Sequence, residues 1–318
     1  MMAMSNKMAN AMMNKDEVIK NRYNFSFFIE VVYGNINGDP ETDGTPRMDP
    51  CTGYGEVTDV CIKRHIRNCV DAMKENAPGY KIYIQNRVPL NVLDREAYIS
   101  LGAEENDDEK TQLEKMKKLK KSDPDVDIKL KDFMCKNYYD TRTFGGVMTT
   151  FKKDQLGNGQ ISGPVQIGIG RSIDVIDSRD MAITRMAVSK EEDAKENKTS
   201  AFGRKGVVPY AIYRVDGSVS PTLAKKTGFT EDDLQILWDS IINLFEFDRS
   251  ATRANISVRE FIVFKHKDAL GNCPAYKLRE AIEVHKKDDV IYPRKFQDYV
   301  FEIHEDQIPE DVEMIRMI

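Results

Sequence analysis

Three cations, Lys63, Arg64 and Arg67, follow a stretch crowded with glycine, proline and carboxylate, and that combination could grip phosphate. Ile62, Ile66, Cys69 and Met73 recur at intervals of four, three and four residues, which predicts one apolar helix stripe with the cations along its flank. Upstream, residues 34–55 hold Pro40, Pro46, Pro50 and repeated glycines, so neither a helix nor a ladder strand persists and an ordered loop is expected. Thr58 or Asp59 can cap the helix. Loop amides beside helix cations could face an extended polyanion. The plainer alternative is that the cations only solvate a surface helix.

Other chemistry is weaker. Asp39, Glu41 and Asp43 resemble a calcium loop, but the twelfth position from Asp39 is Pro50, which has no carboxylate to offer. Asp39 and Asp43 are expected instead to hold tight turns through bonds to the backbone. No metal or other cofactor is expected. His65, His266, His285 and His304 stand apart, without HxH or HExxH spacing, and GxSxG is absent. For His266, beside Lys265 and Lys267, catalysis assisted by a lysine stays open, although a histidine at a strand end is ordinarily a surface or satisfied one. Gly168-Ile-Gly170 lacks its third glycine and a following helix pattern, so it is not a dinucleotide loop. Phe202-Gly-Arg-Lys205 places an aromatic ring beside two cations, which suits stacking on an unpaired base while gripping the adjacent phosphates.

The elements that must position these residues read as strand 24–33, helix 58–74, strand 81–85, strand 165–176, helix 231–246 and strand 258–266. This is the β-α-β-β-α-β order of an α+β, ferredoxin-like or RRM-like palm. Residues 94–132 interleave apolar positions with dense charge, predicting a solvated helical insertion in which a lysine run at 115–121 is ordinarily just a wet face. Between the strand-like runs 183–188 and 207–213 lies a polar stretch too poor in apolar residues to pack, expected as a projecting hairpin or as disorder. Residues 276–284 read as helix-like, followed by a mixed tail.

With 318 residues, 41% of them hydrophobic and 31% charged, one large domain with insertions or two domains are possible. No apolar run approaches the roughly 20 residues that cross a bilayer, so no membrane role is expected. The Met-rich start, residues 1–20, is expected as a disordered tail before a single domain at 21–318. Five cysteines form no CxxC pair and leave one over, which points away from a disulfide framework and fits a reducing cytoplasm. The net charge of −5 opposes generic nucleic-acid attraction, yet a site needs only a local basic track, and acid is concentrated at 104–109, 123–127 and 191–196.

The loop and helix, with Asp140-Thr-Arg-Thr-Phe-Gly-Gly146, Gly163-Pro-Val-Gln-Ile-Gly168, Phe202-Gly-Arg-Lys205, Val208-Pro-Tyr210 and Phe264-Lys-His266 in that order, resemble the Cas-seven family of CRISPR-associated proteins. Within it the chain is most similar to the Csd branch of type I-C systems. The resemblance implies the RRM-like palm, a finger-like insertion at about 94–132 and a β-hairpin thumb at about 184–206. It implies a non-catalytic subunit that polymerises head to tail along a CRISPR RNA in the Cascade surveillance complex. Its thumb would displace nucleotides at intervals and leave the others to pair with a target DNA strand. Partners would be the CRISPR RNA, that DNA strand, copies of the chain and other Cascade subunits.

Carried onto this sequence, the RNA-binding set is Asn35, Asn37, Gly38 and Arg47 on the loop, Lys63, Arg64 and Arg67 on the helix, Arg142, Phe144, Gly145 and Gly146 in the second motif, and Phe202, Arg204 and Lys205 on the hairpin. Loop and glycine amides would join the cations on phosphates, with Arg142 as a fork-shaped donor. Some type III relatives cut target RNA with an acidic thumb residue, which makes the acids of 191–196 the place where a cutting group would sit. An alternative activity on the same fold is guide-RNA processing by an endoribonuclease, which needs an acid–base pair that the sequence does not display.

Overall fold

The computed structural model describes residues 16–149, 151, 156, 159–185 and 201–318. The chain begins with β1 (Tyr23–Gly34), then the short pair β2 (Gly38–Asp39) and β3 (Thr45–Pro46), β4 (Tyr54–Val57) and α1 (Asp59–Lys74). Helices α2 (Leu90–Ser100), α3 (Glu109–Ser122), α4 (Val126–Asn137) and α5 (Tyr139–Phe144) follow. After them come β5 (Gly145–Val147), β6 (Gln160–Ser162), β7 (Val165–Ile167), β8 (Gly170–Val175), β9 (Arg179–Arg185) and β10 (Ala201–Val219). The chain closes with α6 (Pro221–Thr227), α7 (Glu231–Ile242), β11 (Ile256–His266), α8 (Ala275–Glu280), β12 (Ile282–Lys286), β13 (Tyr299–Ile303) and β14 (Val312–Arg316). It is a mixed α+β structure around a largely antiparallel sheet.

The main sheet runs β14-β11-β1-β10-β8-β4, with β7 and β9 also paired to β10. β1 lies at its centre because both of its faces are apolar. Phe25, Phe27, Ile29 and Val31 pack with α1 and α7 on one side, and Phe28 packs with Tyr210, Ile262 and the β12–β13 hairpin on the other. Trp238 of α7 meets the rings of Phe25 and Phe261 edge-on at 5.3 and 5.4 Å. Such perpendicular ring contacts add to the area that burial removes from water. α2 to α4 enclose a separate core of Tyr98, Met116, Leu130, Met134 and Tyr138, so the charged insertion packs on an interior of its own.

Several expected elements differ. Residues 81–85 form no strand: Lys81 makes one isolated bridge to Tyr138, and the amides of Tyr83 and Ile84 bond to the Asp140 carboxylate at 2.7 and 3.1 Å. A side chain thus takes the donors that a ladder would need. The expected strand 165–176 divides into β7 and β8 around Gly168-Ile169, and the neighbour of β1 is β10. β10 is long enough to serve both the core, as the partner of β1, and the hairpin, as the partner of β9 from Arg179 to Arg185. Helix α7 stops at Ile242, short of residue 246. The C-terminal stretch is ordered rather than a tail: β12 and β13 form a hairpin, and β14 extends the sheet beside β11. Within the tail expected through residue 20, Val18 bridges to Thr230 and Ile19 is fully buried, its N–H donating to the Phe229 carbonyl.

Candidate nucleic-acid interface

Thr58 caps α1, its Oγ accepting from the Cys61 N–H at 3.3 Å. Asn37 Oδ1 in turn accepts from the Thr58 N–H and hydroxyl, each at 2.9 Å, so the upstream loop hangs from the start of the helix. Along α1, Lys63 pairs with Asp59 one turn back at 2.8 Å. The Lys63 ammonium and the Arg67 guanidinium lie 5.9 and 5.3 Å from the centre of the Phe144 ring. At that range a buried ring attracts both cations and holds them side by side. Phe144 is 8% exposed, so its part is to carry the cations and not to stack on a base.

Arg64 donates to the Ile84 carbonyl at 2.8 Å, and Arg67 Nε donates to Asp140 Oδ2 at 2.7 Å. Arg64 and Arg67, with Asn68, Asp71, Gln85 and Asn86, line a cleft of about 570 Å³. Burial and then the charge of Arg67 hold the Arg64 guanidinium below its usual pKa, against the opposing pull of Asp140. An anion in the cleft would favour the charged form of Arg64. Gln85 and Asn86 carry no sequence signal, because they reach the cleft only through the turn that Asp140 pins.

Arg142 does not belong to this surface. It is 7% exposed and forks onto Asp233, Nε to Oδ2 at 2.9 Å and Nη2 to Oδ1 at 2.7 Å. Its remaining donors serve the carbonyls of Cys135 and Gly79 at 2.7 and 3.1 Å. Burial opposes its charge, but the bonds and charge of Asp233 outweigh burial and raise its pKa. Arg142 therefore fastens α5 to the first turn of α7, where Asp233 also closes a capping box with Thr230. The expectation that it binds phosphate is corrected: every edge of the fork is occupied inside the protein.

The loop residues are chiefly architectural. Asn35 is buried and donates to the carbonyls of Gly44 at 2.9 Å and Gly206 at 3.2 Å, tying the loop to the base of the β9–β10 hairpin. Gly38 sits so close to Gly44 that a Cβ would lie 2.7 Å from its carbonyl oxygen. Asp39 accepts from the Glu41 N–H, the turn bond expected of it, and also pairs with Arg47 at 3.3 Å. Gly145 adopts φ +71° and faces Ile161, whose carbonyl oxygen would be 2.3 Å from an added Cβ. Gly145 and Gly146 pair with Ser162 and Ile161 in the β5–β6 ladder, directly behind Phe144.

On the hairpin, Arg204 is exposed and Lys205 half-buried, their backbones paired with Ala182 and Met181. Phe202 pairs through its backbone with Thr184, while its side chain, the turn at 186–200 and the acids of 191–196 lie outside the described residues. The first residues of the loop at 35–47 thus join the start of α1, through Asn37, to the hairpin base, through Asn35. Arg171, a residue without a motif to mark it, lies over the Tyr54 ring at 4.3 Å beside the same loop.

The family model for CRISPR-associated protein Cas7 matches residues 21–304. A Cas7 protein of Haloferax volcanii is 38% identical over 65 residues, which is 20% of this chain and 18% of that relative's length. Among solved structures, the chain is similar to one described as a CRISPR RNA-guided surveillance complex, pre-nicking, at 14% identity over 76% of this chain and 78% of that one, with a TM-score of 0.48. A second surveillance complex gives 12% identity, coverage of 76% and 68%, and a TM-score of 0.41. A type III-B Cmr-beta complex bound to cognate target RNA gives 10% identity, coverage of 76% and 61%, and a TM-score of 0.40. With a family model spanning most of its length, the chain belongs to the Cas7 family of CRISPR-associated proteins.

Proposed function

We propose that the chain is a CRISPR RNA-binding backbone subunit of a Cascade surveillance complex, of the Csd branch of type I-C systems. Copies assemble head to tail along the guide, a heterologous contact that builds a helical filament instead of a closed pair. The guide is then held for pairing with a target DNA strand, with other Cascade subunits at its ends. The observation that carries this reading is the cation group of α1, Lys63 and Arg67 beside Phe144 and Arg64 beside Arg67 in the cleft, linked through one loop to the hairpin that bears Arg204 and Lys205. Such a track reads phosphate and leaves sequence to base pairing.

In this reading the antiparallel order β11-β1-β10-β8, with α1 and α7 on one face, is the ferredoxin-like palm. The domain at 21–318 uses α2 to α4 as its finger and β9–β10 as its thumb, and it works in a reducing cytoplasm without catalysis of its own. The test is to purify the protein from cells expressing a CRISPR array and to sequence the nucleic acid that accompanies it, beside a Lys63/Arg64/Arg67 triple alanine variant. Full-length array RNA with wild type and none with the variant is the expected result. RNA absent from both would sink the reading, and RNA cut by the purified protein alone would replace it with a guide-processing nuclease.

A further inference from the structure

The β12–β13 hairpin carries an arrangement that the RNA track does not use. Glu283-Val284-His285 on β12 and Glu302-Ile303-His304 at the end of β13 are the same Glu-aliphatic-His triplet. The antiparallel register sets Glu283 directly opposite Glu302, so the two histidines fall on opposite sides of the carboxylate pair. Strand alternation sends Ile282, Val284, Phe301 and Ile303 into the core and leaves the Glu and His side chains on the outer face.

On that face the ligand atoms of Glu283, Glu302 and His304 all lie within 4.8 Å of one another. His304 Nε2 is 3.4 Å from Glu283 Oε2, and His285 Nδ1 is 3.8 Å from Glu283 Oε1. A tetrahedral cation with arms of about 2.0–2.1 Å spaces its ligands about 3.3–3.4 Å apart, so the His304–Glu283 separation already suits it. Like charges directly opposite on an antiparallel pair destabilise it. Among the described residues the ion-pair partners of Glu283 are the two histidines, with no lysine or arginine among them. A divalent cation would offset the two carboxylates that the register sets opposite each other.

We propose that Glu283, Glu302 and His304 form a site for a borderline divalent transition cation such as Zn²⁺, with solvent completing the coordination shell. Mixed imidazole and carboxylate donors suit that class of ion. The ion would staple β12 to β13 on the face of the sheet away from α1.

The experiment uses the full chain, freed of any histidine tag and stripped with EDTA. Co²⁺ is titrated while its visible d–d absorption is followed, Zn²⁺ is then added to displace it, and melting temperature is recorded with and without Zn²⁺. Saturation at a single equivalent, displacement by Zn²⁺ and a rise in melting temperature are expected. His304→Ala and Glu302→Gln are each expected to weaken binding by more than the roughly tenfold that loss of even an outer-shell partner costs. Glu302→Gln removes the repulsion, so its metal-free melting temperature should equal or exceed that of wild type, which separates lost binding from misfolding. Absence of saturable Co²⁺ binding, or saturable binding that both variants retain, would overturn the proposal.

Discussion

Arg142 and Asp233 meet through two parallel hydrogen bonds of 2.9 and 2.7 Å inside the protein, ninety-one residues apart in the chain. Removing one member leaves the other buried and unpaired, which costs about 3–5 kcal/mol. Arg142→Met is therefore expected to lower unfolding free energy in a denaturant titration by that amount. The fraction that remains folded should bind RNA as wild type does. A stable Arg142→Met protein that had lost RNA alone would reverse the assignment.

The salt dependence of RNA binding separates the cations of α1 from Arg142. Each cation withdrawn from a phosphate should reduce the slope of log affinity against log salt by about 0.7 for single-stranded RNA. Lys63→Ala and Arg64→Ala should each shallow the slope by about that much. Arg67→Ala should do so too while also lowering stability, since Arg67 bonds to the buried Asp140. Slopes equal to that of wild type in all three would remove α1 from the interface.

Gly145 tests the support behind the cations. Its φ of +71° and the Ile161 carbonyl oxygen, 2.3 Å from where a Cβ would stand, both exclude a side chain. Gly145→Ala should cost more than about 1 kcal/mol of stability. It should also weaken RNA binding, because the strain falls on Phe144, whose ring holds Lys63 and Arg67. A melting curve and a binding isotherm on one sample would show whether the two losses occur together.

His266 predicts how stability responds to acid. It is fully buried, with Nδ1 accepting from the Asn272 N–H and Nε2 against Asn24 Oδ1, both at 2.9 Å. The Asn272 bond requires an unprotonated Nδ1, so Nε2 carries the proton. Burial first, and then Arg22, hold its pKa below the usual 6.5. Burial also lowers His65 against the opposing pull of Asp248. A folded pKa below the unfolded one means that the unfolded chain takes up protons first. The stability from these histidines is complete above about 6.5 and is lost as pH falls from there toward the folded values. Melting temperature should drop as pH falls below about 6.5, and His266→Gln should flatten part of that drop. An identical pH profile in that variant would assign the effect elsewhere.

The local residue pattern determined those features that need only near neighbours. The aromatic run of β1, the apolar stripe of α1 with its Thr58 cap, the Thr230 start of α7 and the turn held by Asp39 all follow from spacing and side-chain type. The cations of α1 were legible for the same reason, since helix periodicity alone places them on one edge. Tertiary structure decided what depended on distant partners. Asp140 took the amides that would have made 81–85 a strand, and Asp233 drew Arg142 inward from a motif that reads as surface. β10 displaced β7 and β8 as the neighbour of β1, because its length lets one strand serve both core and hairpin. Glu302 on β13 and His304 at its end stand apart from Glu283 on β12, and only the β12–β13 register brings the three together. Hydrogen-bond donors and charges are satisfied by whatever the fold brings within about 3 Å, and sequence spacing constrains that set only within one element.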